Sequence, residues 1–228
     1  MKYSIFIPVR SGSQRVIKKN TRDFAGIEGG LLSLKLAQLT KLPENFEIVI
    51  STNDAKCFEI TKSFQDKLKN LKLIKRSDEL CRSSTPLIEL IKHAGTVCAG
   101  DFILWSHVTS PFCDTENYKT AINQYEKSLS ENYDSLVSGR DYKEFLFDKN
   151  SGKIVNNTTG LDWPRTQDLP DWFEINNAIF LTSRQNFLEG NRIGTHPMLL
   201  SQNKIVSFDI DYEEDFTIAE AIYDRFYR

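Results

Sequence analysis

At 228 residues the chain is long enough to bury one sizeable core, and its length favours a single domain over 1–228, with room for an elaboration. Forty per cent apolar and 26% charged residues are ordinary globular values, which excludes an expanded, disordered chain. With 29 basic against 31 acidic residues the net charge is −2, so no global field draws a nucleic acid or an acidic membrane, and any anion site must be local.

The opening MKYSIFIPVR has too short an apolar run for a secretory leader, and no stretch approaches membrane-spanning length, so the expectation is a cytoplasmic protein. Strand-like and helix-like segments then alternate: YSIFIPV, LLSLKLAQL, FEIVIST, DAKCFEITKSFQDKL, LKLI, PLIELIKHAGTV, DFILWSHV, TENYKTAINQYEKSL and YDSLVSG. This rhythm predicts an α/β fold, a mostly parallel sheet with helices on both faces. Thr85-Pro86 reads as a helix start, and Asp114 or Thr115 as the cap of the helix after Pro111. Residues 140–174 break the rhythm as a polar, aromatic-rich excursion, and Phe145, Phe147, Trp163 and Trp172 give it the character of a contact surface. Strands resume at NNAIFLT and KIVSFDID, and EEDFTIAEAIYDRF closes the chain as an amphipathic helix. Cys57, Cys81, Cys98 and Cys113 lack zinc-site or disulfide-scaffold spacing and read as reduced thiols; His93, His107 and His196 are too scattered for a histidine metal centre.

The loop leaving the first strand, IPVRSGSQRVIKKN at 7–20, crowds Arg10, Arg15, Lys18 and Lys19 around Gly12. In an open α/β sheet this is the usual phosphate position: Gly12 allows close backbone approach, and Ser11 and Ser13 add donors. The spacing is neither GxxxxGK[ST] nor GxGxxG. A solvated basic loop and a polyphosphate site both remain open on charge pattern alone.

The loop resembles the opening motif of the acylneuraminate and 3-deoxy-octulosonate cytidylyltransferases, an IPAR-S/G-GS-(K/R) turn ending in KN. The resemblance implies that Arg10, Ser11, Gly12, Ser13, Lys19 and Asn20, with Arg15, hold the phosphates of CTP; Gln14 stands where many members carry lysine or arginine. Further blocks follow in the family's order. VISTNDAKCFEI is similar to its second strand and helix, KRSDELCRSSTPLIEL to RPxELA, HVTSPF to QPTSPL, WPRTQDLPDWFEINNAIFL to RRQDLPxxYxxNGAIYI, and SFDIDYEEDFTIAEAI to the terminal DIDxxxDxxxAE. By this resemblance Arg76 and Ser84 join the nucleotide contacts, and Arg82 and Ser83 carry weaker assignments; Asp215, in the first helical turn, reads as a helix-dipole or packing residue rather than a third metal ligand. His107, Thr109, Ser110, Lys143, Arg165, Gln167 and Asn176 fall at acceptor positions, with Arg165 suited to a carboxylate.

In VSFDID, Val206, Phe208 and Ile210 alternate with Ser207, Asp209 and Asp211, so a strand would present both aspartates on one face, a pair able to share a magnesium ion. Asp211 with Glu214 also reads as a capping box, and both roles stay open. His107 replaces the family's glutamine and, by its ordinary pKa, could titrate near neutral pH; alternatively it is satisfied by backbone. GIEGGLL departs from GGKPLI and lacks its lysine.

The resemblance implies a three-layer, Rossmann-like nucleotidyltransferase of glycosyltransferase-A type, with 140–174 as an inserted dimerisation element of a homodimer. The implied reaction joins CTP to a 2-keto sugar acid such as sialic, legionaminic or pseudaminic acid and releases pyrophosphate. Arg10, Lys19, Asp209 and Asp211 are the implied catalytic residues, and Asp209 and Asp211 the Mg2+ ligands. A transferase with another base or acceptor, or a catalytically silent nucleotide-binding relative, is the alternative.

Overall fold

The structure, a computed structural model, describes residues 1–13 and 15–228; Gln14 lies outside the described residues. The chain folds as β1 (Tyr3–Pro8), α1 (Gly30–Leu39), β2 (Glu47–Thr52), α2 (Ala55–Lys62), β3 (Leu71–Lys75), α3 (Leu87–Val97), β4 (Phe102–Trp105), α4 (Thr115–Ser128), β5 (Ser135–Tyr142), β6 (Phe147–Asp148), β7 (Lys153–Ile154), β8 (Trp172–Ser183), α5 (Arg184–Leu188), β9 (Pro197–Ser201) and α6 (Glu213–Phe226). Seven strands form one sheet in the order β3-β2-β1-β4-β8-β5-β9, and β6 and β7 pair separately. Only β8 runs against its neighbours β4 and β5 in the large sheet; its other pairings are parallel.

Continuous apolar runs explain this sheet, because a strand buried on both faces needs no alternation. Ile5 and Ile7 of β1 point into a core shared with Leu31, Leu36, Tyr118, Ile122 and Phe216, whereas Phe6 points the other way, onto Trp105, Ile91, Ala94 and Phe187. Helices α1, α2, α4 and α6 thus cover one face and α3 and α5 the other, giving three layers. Each large side chain fully buried this way contributes about 1.5–3 kcal/mol before entropic costs. Cys57, Cys98 and Cys113 are buried, Cys81 is half-buried, and all four are free.

Chain order reverses at β1, which lies between β2 and β4. A crevice opens there at the carboxyl ends of the strands, as the topology requires. Asp114 caps α4 through the amides of Glu116 and Asn117 in a full capping box. The Thr85-Pro86 start is shifted, because Pro86 itself occupies the cap position and Thr85 turns back to the carbonyl of Glu79.

KIVSFDID is not a strand. Asn203 Oδ1 accepts from the amides of Ile205 and Val206, both at 3.0 Å, and Ser207 N closes onto Asn203 O, so a side-chain-nucleated turn wins over the alternating pattern. The sheet's last member is instead PMLLS, paired with β5. Asp211 does not cap α6 either: Asp215 reaches back to the amides of Asp211 and Tyr212, leaving the Asp211 carboxylate for other partners. Within 140–174 the flanks are not irregular. β5 and β8 remain paired out to Tyr142 and Trp172, forming a ribbon that carries the β6–β7 hairpin and a Phe145–Trp163 stack at 4.8 Å.

The GIEGG departure has a geometric cause. Gly29 and Gly30 both have positive φ where α1 begins, and a Cβ on Gly30 would lie 1.9 Å from the carbonyl oxygen of Arg22. Gly30→Ala is therefore expected to lower stability by about 2–4 kcal/mol in denaturant unfolding, whereas Gly152→Ala, with positive φ but open space around it, costs about 1 kcal/mol. Equal losses would show that conformation alone, and not the Arg22 contact, demands glycine at position 30.

Candidate active site

The crevice between β1 and β4 is a cleft of about 580 Å³, within the range of ligand pockets. Arg10, Ser13, Arg15, Lys19 and Asn20 line it from the first loop, Asp209 and Asp211 from the segment before α6, and Arg76, His107, Thr109, Asn177 and Arg192 from the strand ends and their loops.

Several contacts hold the cationic loop open. Val16 is buried and anchors its middle. Ser11 N donates to Asn53 Oδ1 at 3.1 Å, and Asn20 Nδ2 donates to Arg10 O at 3.3 Å. Arg10 Nη1 donates to Cys81 O and Ser83 Oγ, at 2.9 and 3.2 Å, tying the loop to the turn before α3. Gly12 has φ +75 and faces a side pocket of this loop. Arg76 is almost wholly buried: Nη2 donates to Val9 O, Nε to Cys81 Sγ, and Nη1 has no partner among the described residues. A buried guanidinium nitrogen left unsatisfied is costly, and an anion in the cleft would satisfy it.

The acidic side meets this loop directly. Lys19 Nζ donates to Ile210 O at 2.5 Å and stands 3.6 Å from Asp211 Oδ1, while Arg15 pairs with the same oxygen at 2.9 Å. The amide of Ile210 donates to Thr109 O at 3.0 Å, fixing the acidic segment to the end of β4. Asp209 is half-buried, with Oδ1 out of contact with solvent and unpartnered among the described residues. Burial pushes its carboxyl up from the usual range, with Asp211 adding to the rise; the Thr109 hydroxyl and Lys19 oppose it. An orphaned carboxylate oxygen beside a second carboxylate is a donor set that suits a hard divalent cation completing its shell with phosphate and water. Asp209 and Asp211 therefore fit magnesium.

Below the cleft, Lys35 is fully buried and donates to Ser110 O, Cys113 O and Tyr118 Oη at 3.0, 2.6 and 2.8 Å, which fixes the turn following β4. Burial lowers its pKa to about 8.

The sequence profile described as cytidylyltransferase matches residues 4–224, almost the whole chain. The chain belongs to the cytidylyltransferase family. A pseudaminic acid cytidylyltransferase of Campylobacter jejuni serotype O:2 is 22% identical over 98% of this chain and 97% of its own length. Among solved structures, CMP:2-keto-3-deoxy-manno-octonic acid synthetase complexed with CTP superposes with a TM-score of 0.69 at 9% identity, covering 99% of both chains. The 4-diphosphocytidyl-2C-methyl-D-erythritol synthase of Anaerococcus prevotii gives 0.66 at 13% identity, covering 98% of this chain and 96% of the other. These likenesses carry the three-layer fold.

Within this cytidylyltransferase the remaining expected residues are distributed unevenly. Ser84 is exposed and does not line the cleft; Ser83 makes the contact to Arg10 instead. Ser110 is buried beneath the turn, outside the cleft lining. Asn176 is spent on structure: its carbonyl accepts from Ser138 Oγ at 2.7 Å and its amide donates to Gln202 and Ser207. Arg165 and Gln167 lie on the ribbon around Phe145 and Trp163, Arg165 pairs with Asp168, and Lys143 pairs with Asp171. None of these three lines the cleft.

Sequence reasoning missed Asn177 and Arg192. Asn177 reaches the cleft because β8 bulges opposite Ser138: Ile179 N donates to Ser138 Oγ at 2.8 Å, and Asn177 takes a left-handed φ of 57°, which asparagine tolerates. The NN pair was a signal for such a bulge. Arg192, in the loop GNRIGT, carried none.

His107 is half-buried and does not titrate near neutral pH. Its Nε2 accepts from Trp105 Nε1 at 2.8 Å, and burial, with Arg192, Lys19 and Lys35 nearby, lowers its pKa to about 3. Its NMR signals are expected to stay those of the neutral ring from pH 8 to 5. Because the folded pKa lies below the ordinary 6.5, its stability contribution is complete above pH 6.5 and declines as the pH falls from there towards 3. A midpoint near 6.5 in the folded protein would refute this environment.

Proposed function

We propose that this cytidylyltransferase makes a CMP-activated nonulosonic acid from CTP and the free 2-keto sugar acid, with magnesium held by Asp209 and Asp211. The observation that carries the reading is the contact of Lys19 with both Ile210 and Asp211, which puts the phosphate-type loop and the carboxylate pair in one cleft. The pseudaminic acid cytidylyltransferase relative supports the acceptor class, and the CTP complex of the octonic acid synthetase supports the nucleotide.

Each group in the cleft has a part in this chemistry. The anomeric hydroxyl attacks the α-phosphorus in line, and the bond from that phosphorus to the bridging oxygen breaks as pyrophosphate leaves. Arg10, Lys19 and the loop amides lie where charge gathers on the departing phosphates, and such preorganised donors stabilise charge far better in a partly dry cleft than in water. Arg76 offers its unpartnered nitrogen to the nucleotide. The Thr109 carbonyl holds the Ile210 backbone in place, next to Asp209. Magnesium, when bound, neutralises phosphate charge and polarises the attacking hydroxyl. Arg15 pairs with Asp211, and would be available to phosphate if that carboxylate held a cation instead.

The exposed Trp163, Trp172 and Phe147 on the ribbon support a homodimer in which Lys143, Arg165 and Gln167 serve the neighbouring cleft. CTP as substrate supports a cytoplasmic site of action. No helix among the described residues is long and apolar enough to cross a membrane.

Pyrophosphate release is expected with CTP, and not with ATP, GTP or UTP, across a panel of eight- and nine-carbon 2-keto sugar acids. Asp211→Asn should lose at least about 100-fold in turnover with an unchanged unfolding transition. Chelation with EDTA should abolish turnover and added magnesium restore it. Full activity in Asp211→Asn, or indifference to EDTA, would remove the metal assignment.

A further inference from the structure

One guanidinium in the cleft has no task in the scheme above. Arg192 sits in the loop between α5 and β9, with Cζ 3.9 Å from the ring centroid of Phe180 and 5.1 Å from that of Trp105. No hydrogen bond or ion pair joins it to any described residue. The other cleft cations are engaged: Arg10 with Cys81 and Ser83, Arg76 with Val9 and Cys81, Arg15 and Lys19 with Asp211.

Two aromatic rings so close to a planar guanidinium fix its orientation while leaving its N–H groups uncommitted, the arrangement that suits bidentate carboxylate binding. Burial lowers the Arg192 pKa to about 10, and no carboxylate opposes the effect. A cation desolvated without a counter-ion is costly to maintain, and an anionic ligand would relieve that cost. Its neighbour His107 stays neutral beside it.

We propose that Arg192 binds the carboxylate of the acceptor sugar acid. This rests on the 2-keto sugar acid reading given above and adds the residue that recognises the acid group. In such a substrate the carboxylate is bonded to the carbon that bears the attacking hydroxyl, so its receptor must share a cleft with the reacting atoms. Arg192 lines the same cleft as Asp209 and Asp211. Within one chain Arg165 and Lys143 do not line it, and each already holds an aspartate; a contribution from a neighbouring chain would add to Arg192 and not replace it.

The test uses the full chain with a non-hydrolysable CTP analogue bound, and titrates pseudaminic acid and 3-deoxy-manno-octulosonic acid calorimetrically. Arg192→Met keeps the packing on Phe180 and Trp105 while removing the charge; Arg192→Lys keeps the charge without the fork. At least one acid is expected to bind the wild type, with affinity reduced about 10-fold or more in Arg192→Met and less in Arg192→Lys, and with CTP affinity within about 2-fold throughout. The C1 amide of the same acid should bind the wild type weakly and be indifferent to Arg192→Met. Equal acid affinity in Arg192→Met, loss of CTP affinity in step with acid affinity, or a wild type that binds neither acid would overturn the assignment. Acid binding without pyrophosphate release would count against the transferase reading, while the comparison of Arg192→Met with wild type still decides this one.

Discussion

Lys19 joins two ends of the chain: its ammonium donates to the carbonyl of Ile210 and faces the carboxylate of Asp211, 191 and 192 positions further on. Each side of that contact is unfavourable alone. A loop carrying Arg10, Arg15, Lys18 and Lys19 repels itself, and two aspartates two residues apart do the same, with Asp209 also losing hydration. Brought together they offset one another, yet the match is incomplete, because Asp209 Oδ1 and Arg76 Nη1 have no partner among the described residues. The protein is thus folded around charges only partly paired, with an unsatisfied cationic nitrogen and an unsatisfied carboxylate oxygen in one cleft.

The topology makes this meeting possible. β1 delivers the cationic loop, β4 delivers His107 and Thr109, and the backbone bond from Ile210 to Thr109 docks the acidic segment at the end of β4. The two faces of the sheet divide the work. Tyr118 and Lys35 on one side set the turn after β4, and Trp105 and Phe180 on the other form the apolar surface on which Arg192 rests.

The alternation of apolar strands and helices from Tyr3 to Gly139 was legible because each buried strand carries an uninterrupted run such as IFI or FILW. The first loop and the aspartate pair were legible as chemistry, since both are short in sequence and rich in one charge. The segment around Val206 was misread because alternation is a weaker signal than an asparagine able to close a turn on the amides two and three residues further on. Asn176 and Asn177 could not be told apart, because only the bulge opposite Ser138 decides which faces the cleft. Arg192 was silent: nothing around it in sequence announces that Phe180 and Trp105, 12 and 87 positions earlier, will lie beneath its guanidinium.

Strand β8 begins at exposed Trp172 on the ribbon and passes through the bulge at Asn176–Ile179 to Phe180 beneath Arg192. One strand thus spans both places: its outer half carries an exposed aromatic on the ribbon, and its inner half supplies Asn177 to the cleft lining and Phe180 to the surface under Arg192. A change in the course of β8 at the bulge is therefore felt at the ribbon and at the cleft alike.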